Sequence, residues 1–295
     1  MSELKDHYHY LPISERDRQW GLYVLGAGYQ YVPPNSQYPP AGHQGNHSFD
    51  WKRGRILQEY QILYVTDGEG EFESKATGRV PVSAGSALVL FPGIWHRYCP
   101  AKEIGWDVYW VAFHGEAADR LRQSKFIDPR EAAMNPGMDD SLLHHFTVLL
   151  DRIHGQQIGF QQLIAADVSL IVASLLANAR SRRMSDYHVE IVNRLKMELE
   201  KQAGKLPRIE DLADILNIST RQLHQLFKEH TGLSPYQYHL QLKIRRAKDM
   251  LRGSNLSVKN IARTLGFQNA YYFSRIFAKK TGVPPTKWRT MGQKK

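Results

Sequence analysis

LADILNISTRQLHQLFKEHTGLSPYQY, residues 212–238, returns 49 to 50 positions later as IARTLGFQNAYYFSRIFAKKTGVPPTKW, residues 261–288. Leu212, Ala213, Leu216 and Ile218 correspond to Ile261, Ala262, Leu265 and Phe267, and Leu223, Phe227, Thr231 and Gly232 to Phe273, Phe277, Thr281 and Gly282. The offset is 49 before the turn and 50 after it, so one residue has been gained at the turn while the apolar spacing is kept. Apolar positions at helical spacing around a tight turn predict two helices, and their recurrence predicts a duplicated helix-turn-helix.

Such a unit needs a small residue where its helices cross and apolar anchors that lock them at a steep angle. Ala213 and Ala262 are the small residues; Leu223 with Phe227, and Phe273 with Phe277, are i, i+4 anchors. Ser219 and Thr220 can cap the second helix of the first copy, and Asn269, after Gln268, is the natural N-cap of the other. The remaining outer positions are free to face DNA. A plain helical hairpin in a bundle would explain one copy, but not two in a basic surround.

Residues 186–295 hold 21 Lys plus Arg against 9 Asp plus Glu, a net of +12; residues 1–185 hold 18 against 20, a net of −2. The whole-chain charge of +10 therefore belongs to the C-terminal third. A cationic helical domain gains affinity for polyphosphate by counterion release, whereas a generally basic solubilising surface would not divide the chain this way.

The two quoted runs resemble the DNA-binding domain of the AraC/XylS family of bacterial transcription regulators, over roughly residues 186–292. The resemblance implies two helix-turn-helix units joined by a long helix, about Pro235 to Arg252, with recognition helices in successive major-groove segments of double-stranded operator DNA. On matching positions it implies DNA-facing side chains at Thr220, Arg221, His224 and Gln225, and at Asn269, Tyr271, Ser274 and Arg275. Arg reads guanine and Gln adenine in bidentate fashion. Lys228, Lys279, Lys280, Lys287 and Arg289 are assigned to phosphates, which position without selecting sequence. Ala270 departs from the polar residue common in relatives and offers only methyl contact.

The rest is bounded by composition. A chain of 295 residues suits two domains. The single cysteine, Cys99, excludes an intrachain disulfide, and the opening MSELKDHYHYLP is too polar for a signal peptide. The longest apolar run, Leu163 to Ala177, is broken by Asp167 and too short to span a bilayer. No membrane association and a cytoplasmic location are expected.

Between about Tyr60 and Phe113, short β-branched and aromatic runs alternate with DG, EG and PG turns, which predicts an antiparallel sheet closing into a barrel. His7 and His9 are read as part of a mobile tail. Residues 115–185 return to helical spacing, with one stripe through Leu142, Leu143, Phe146, Leu149, Leu150 and Ile153 and another through Leu163, Ile164, Val168, Ile171, Leu175 and Leu176. The fold class expected is thus an N-terminal all-β, cupin-like barrel with following helices and a C-terminal all-α domain. The boundaries are 1–115 for the sensing barrel, 116–185 for a helical linker and dimerisation segment, and 186–295 for the DNA-binding domain.

YQILYVTDGEGEF, GSALVLFPGIWHRY and DVYWVAFHG resemble the cupin-like sensor of the sugar-responsive, arabinose-type branch of the same family. A metal-dependent cupin enzyme would present H-x-H followed by Glu, and EYQILYVTDGEGE has no histidine. His96 stands alone, and neither His43 and His47 nor His144, His145 and His154 supply ligand spacing, so no metal or cofactor is expected. No G-x-S-x-G elbow, Walker loop or paired nucleophile and base is present, so no catalytic residue is assigned.

Sugars stack their C–H faces on aromatic rings and need polar partners for their hydroxyls. Trp95, Tyr98, Trp106, Tyr109 and Trp110 lie close together, and Arg55, with Arg53 on the same face of an extended segment, is the polar candidate. The resemblance places Tyr98 and Trp110 on the pocket wall; alternation favours Trp110 over Tyr109. Arg55, Trp95, His96, Tyr98 and Trp110 form the expected ligand set, although an aromatic on a barrel strand is more often core than platform. The chain reads as a ligand-responsive activator of carbohydrate-use genes. It would be a homodimer joined through helices 140–180, with a sugar effector and RNA polymerase as the further partner of an activator. A repressor, a sensor of a non-sugar metabolite, or a metal-dependent cupin enzyme fused to a DNA-binding domain are the alternatives.

Overall fold

The computed structural model describes residues 7–39, 51–183, 186–201 and 208–291. The chain divides into two compact units, Met1–Arg183 and Met184–Lys295.

Among the described residues the first unit has nine strands: β1 (His7–Tyr10), β2 (Tyr23–Val32), β3 (Arg55–Ile56), β4 (Tyr60–Ser74), β5 (Gly78–Ser83), β6 (Ala87–Leu90), β7 (Trp95–Pro100), β8 (Trp106–His114) and β9 (Ala133–Met134). Every pairing is antiparallel. β4 is the spine: its first half pairs with β6 and β8, its second with β5 and β7, and β7 carries β3. A bulge between Val65 and Asp67 bends β4 from one set of partners to the other. Gly68 makes that bend possible, since a Cβ there would stand 2.1 Å from the Gly105 carbonyl oxygen.

β1 and β2 were not legible as strands. Residues 7–10, read as a tail, pair with Tyr29 to Gly26 of β2. Gly26 has to be glycine there, because a Cβ would meet the His9 carbonyl oxygen at 2.7 Å.

Strand alternation gives the sheet two unlike faces. Outward, Tyr64 stacks on Phe146 at 6.0 Å and Tyr109 lies against both Tyr29 and Phe146. Phe146 belongs to α3 (Asp140–Gly155), which forms an antiparallel pair with α4 (Phe160–Arg183) after the short helices α1 (Glu15–Gln19) and α2 (Glu116–Gln123). Asp139 caps α3 through Leu142 N–H, and its own N–H donates to the Tyr64 hydroxyl, tying the helix start to the sheet.

α4 corrects one expectation. The helix extends beyond the apolar run at both ends, from Phe160 to Arg183, and Phe160–Arg182 is long and apolar enough to cross a membrane by length and composition alone. Its face of Ile164, Val168, Ile171 and Leu175 is instead buried in the core of its own unit, so it is not an open dimer seam. Asp167 is 3% exposed and takes two bonds from Arg152 Nη1 at 2.5 and 2.6 Å, which is how a carboxylate survives inside the helix pair.

The second unit is all-α: α5 (Asp186–Lys201), α6 (Ile209–Ile215), α7 (Thr220–Thr231), α8 (Pro235–Gly253), α9 (Val258–Thr264), α10 (Ala270–Thr281) and α11 (Pro285–Met291). It has two cores, one through Leu195, Ala213, Leu223 and Phe227, the other through Ala247, Ala262, Phe273 and Phe277. Each buried Leu or Phe contributes about 1.5–3 kcal/mol, so the anchors repeated in sequence hold each half together.

Candidate DNA interface and effector pocket

The sequence repeat is repeated in hydrogen bonds. Ile218 N–H donates to Ala213 O at 3.1 Å, and Phe267 N–H to Ala262 O at 2.9 Å, closing the two turns. Asn217 and Gly266 take the left-handed conformation at φ 50° and 65°. Thr231 Oγ1 bonds Phe227 O and Leu233 O, and Thr281 Oγ1 bonds Phe277 O and Val283 O. Gly232 and Gly282, both left-handed, end α7 and α10. Ser219 caps α7 in a reciprocal box with Gln222, while Asn269 caps α10 through Tyr272 N–H at 2.7 Å. Gln268 is the extra residue.

Arg221, His224, Gln225 and Lys228 lie exposed along α7, with Thr220 half-buried at its start. On α10, Tyr271 is 78% exposed, Arg275 and Lys279 are exposed and Ser274 is half-buried. Two of these groups are partly spent: the Asn269 side-chain oxygen is the helix cap, and Ser274 Oγ donates to Ala270 O. Gln225 donates to Glu229, an acidic residue on the recognition helix that sequence reasoning passed over. Lys287 is exposed on α11. Arg289 is misassigned to phosphate, because its guanidinium donates to Leu251 O and Leu256 O and closes the end of α8 onto α11. Lys280 lies on the flank of α10 away from Arg275: five positions at about 100° each put it about 140° round the helix.

In the first unit, Arg55 is the hub of the inward face. Its Nε donates to His96 Nε2 at 3.3 Å and its Nη2 to Gln61 Oε1 at 3.2 Å and Tyr98 hydroxyl at 2.5 Å. Register explains the meeting, since Arg55 pairs with His96, while His96 and Tyr98 sit opposite Ser74 and Phe72 on the inward side of β4. Trp110 pairs with Leu63 and Gly28 and lies 6.2 Å from the Tyr10 ring. The alternation argument for Trp110 over Tyr109 therefore matches the arrangement. Trp106, on the same face two pairs along, is buried with its indole N–H unpartnered.

His96 is held neutral. Burial and the Arg55 charge lower its pKa to about 4, with Nδ1 donating to Ile94 O and Nε2 accepting from Arg55. Neither ring nitrogen is left for a metal. Burial raises the Tyr98 pKa against the opposing pull of Arg55, so the phenol keeps its proton and remains a donor.

Trp95 does not join the cluster. Its indole N–H donates to Arg53 O at 2.8 Å, its ring covers Gly54, and Arg97 lies over it on the outer face. Arg53 is exposed in a turn and not on an extended face. Gln61 and Tyr10 are the residues the sequence reading missed. A lone Gln alternating with apolar Leu63 on a strand was the available signal for the first.

His43 and His47 fall outside the described residues.

Two cores with repeated helix-turn-helix geometry beside a polar-lined antiparallel sheet define a ligand-sensing DNA-binding protein. Known families match both parts: a helix-turn-helix domain over residues 212–291 and an AraC-like ligand binding domain over residues 35–171. The chain belongs to the AraC family of transcription regulators. It is 28% identical over 240 residues to the MmsAB operon regulatory protein of Pseudomonas aeruginosa, covering 78% of this chain and 75% of that one. It is 23% identical over 247 residues to the raffinose operon transcriptional regulatory protein RafR of Pediococcus pentosaceus, covering 82% and 88%. It is likewise 23% identical over 241 residues to the lactose operon transcription activator of Staphylococcus xylosus, covering 79% and 85%. It is a regulator and not an enzyme, and its partners are operator DNA and a small-molecule effector.

Proposed function

We propose that the chain activates carbohydrate-use genes in the cytoplasm when a sugar enters the inward face of its sheet. The observation that carries this reading is the Arg55 cluster: one cation ringed by a neutral imidazole, an amide and a phenol, on the same face as Trp110. Such a ring offers donors and acceptors to an uncharged polyol, and Trp110 offers the stacking surface. The raffinose and lactose regulators support the same effector class. Residues 1–115 would sense, 116–185 would link and dimerise, and 186–295 would bind DNA through Thr220, Arg221, His224, Gln225, Lys228, Asn269, Tyr271, Ser274, Arg275, Lys279 and Lys287.

The homodimer would use the outer stripe of α4, where Leu163, Ala166, Leu170, Ala173 and Ala177 are exposed at alternating spacings of three and four. That is the repeat of a two-helix seam. Effector binding would shift the dimer toward the arrangement that recruits RNA polymerase, which requires tighter sugar binding in that state.

The test is a thermal-shift screen of the full chain against mono-, di- and trisaccharides, followed by operator binding and transcription with purified RNA polymerase. A stabilising sugar that raises transcription is expected. Stabilisation only by non-sugar metabolites, or lowered transcription with sugar, would overturn the effector or the activator assignment respectively.

A further inference from the structure

The helix that joins the two DNA-reading halves carries a groove that none of the residues assigned to DNA lines except Lys280. It is about 530 Å³ in volume and is lined by Tyr238, Gln241, Leu242, Ile244, Arg245, Lys248 and Lys280. Its floor is apolar and its rim cationic. From Tyr238 to Lys248 it follows α8 for ten residues, about 15 Å at helical rise.

Helix geometry gives the directions of its rim residues. On α8, Arg245 lies two positions from each of the buried residues Lys243 and Ala247, about 160° round the helix from either, so it faces away from the core. On α10, Lys280 is about 140° from Arg275 and about 100° from Lys279, on the flank of the helix next to the base-facing stripe.

The rim charges are uncompensated by any carboxylate lining the groove. Lys248 Nζ rests over the Trp288 ring at 4.7 Å, a contact that orients the ammonium without neutralising it. Two acidic residues border it: Glu200 accepts from the Tyr238 hydroxyl at one end, and Asp249, four residues after Arg245, is not part of the lining.

We infer that this groove docks an acidic, amphipathic helical segment of another protein while the chain is bound to DNA. The apolar floor of Tyr238, Leu242 and Ile244 takes the segment's apolar face, and Arg245, Lys248 and Lys280 take its carboxylates. An open trough of two to three helical turns suits such a segment better than a small anion, which would leave most of the apolar floor wet. Charge complementarity of this kind sets orientation and speeds encounter.

The probe is a fluorescent 14-residue peptide with Leu at i, i+3, i+4 and i+7 and Glu elsewhere, compared with its Glu-to-Gln counterpart. Anisotropy is measured on the full chain with and without a saturating DNA duplex. The acidic peptide is expected to bind in both conditions, and the Gln peptide at least tenfold more weakly. R245E/K248E should lose at least tenfold in peptide affinity, while R275E should lose DNA binding and keep peptide affinity within twofold. K280E provides the same test with an expected loss of threefold or more, should the double variant not fold. Displacement of the peptide by DNA, or wild-type peptide affinity in a folded charge-reversed variant, would overturn the inference. Equally tight binding of inorganic tripolyphosphate with the same variant sensitivity would reassign the groove to a small polyanion.

Discussion

The side chain of Gln161, at the start of α4, both accepts from the backbone N–H of Val24 at 3.3 Å and donates to its carbonyl at 3.1 Å. Val24 is where β2 breaks register with β8, so a helix side chain supplies the pair of bonds that the neighbouring strand cannot. Both groups are buried, and leaving them unpaired costs about 1–3 kcal/mol. Gln161→Ala should therefore lower the first unit's unfolding free energy, read from its urea transition, by an amount in that range without changing DNA binding. An unchanged midpoint would show that water replaces the amide.

His96 gives a pH dependence with a definite sign. Its folded pKa, about 4, lies below the ordinary 6.5, so between these values the unfolded chain binds the extra proton and acidification favours unfolding. The contribution is fully lost below about pH 4 and amounts to about 3 kcal/mol at most. Stability of wild type minus that of His96→Gln should fall as pH drops from about 6.5 to 4. A difference flat across that window would mean that the imidazole is not held neutral by Arg55 and burial.

Arg55→Met keeps the aliphatic stem and removes the donors to His96, Gln61 and Tyr98. Calorimetric titration with the screened sugar should show affinity reduced by one to two orders of magnitude, the equivalent of about 1.5–3 kcal/mol for a charged hydrogen bond, with operator binding nearly intact. Unchanged sugar affinity would give Arg55 a purely structural part.

On DNA, Arg221→Ala and Arg275→Ala should each cost about 1–3 kcal/mol and relax sequence choice in different halves of the site. Lys287→Ala should weaken all sequences alike, whereas Arg289→Ala should lower the melting temperature and leave sequence preference untouched. Footprints confined to one major-groove segment per subunit would contradict two working readers.

Leu170→Glu places a charge on the exposed stripe of α4 and should give a folded monomer in sedimentation. Persistence of a dimer would move the interface elsewhere. Val168→Glu does not make this distinction, because Val168 is fully buried in its own unit and the change would unfold it.

The recognition halves were readable because anchors such as Phe227 and Phe277 act locally, one turn from their partners. The inward direction of Trp110 was readable because strand alternation is a local rule. Tyr10 was not, because β1 exists only through pairing with β2, whose glycines argue against a strand until the approach of His9 explains them. Trp95 and His96 are neighbours, and only the register of β7 on β3 tells which faces inward. Lys280 and Arg289 look alike in a basic list, yet one borders a groove and the other is spent on two carbonyls.

The residue added at Gln268 makes the two readers unequal. α7 begins with Ser219 and Thr220 directly after its turn, while α10 begins one residue later, behind Asn269. Two unlike readers in fixed order would give the chain a front and a back along a duplex. The site it reads would then be a word with a reading direction, and reversing that word in a promoter would present the regulator's other end to everything downstream.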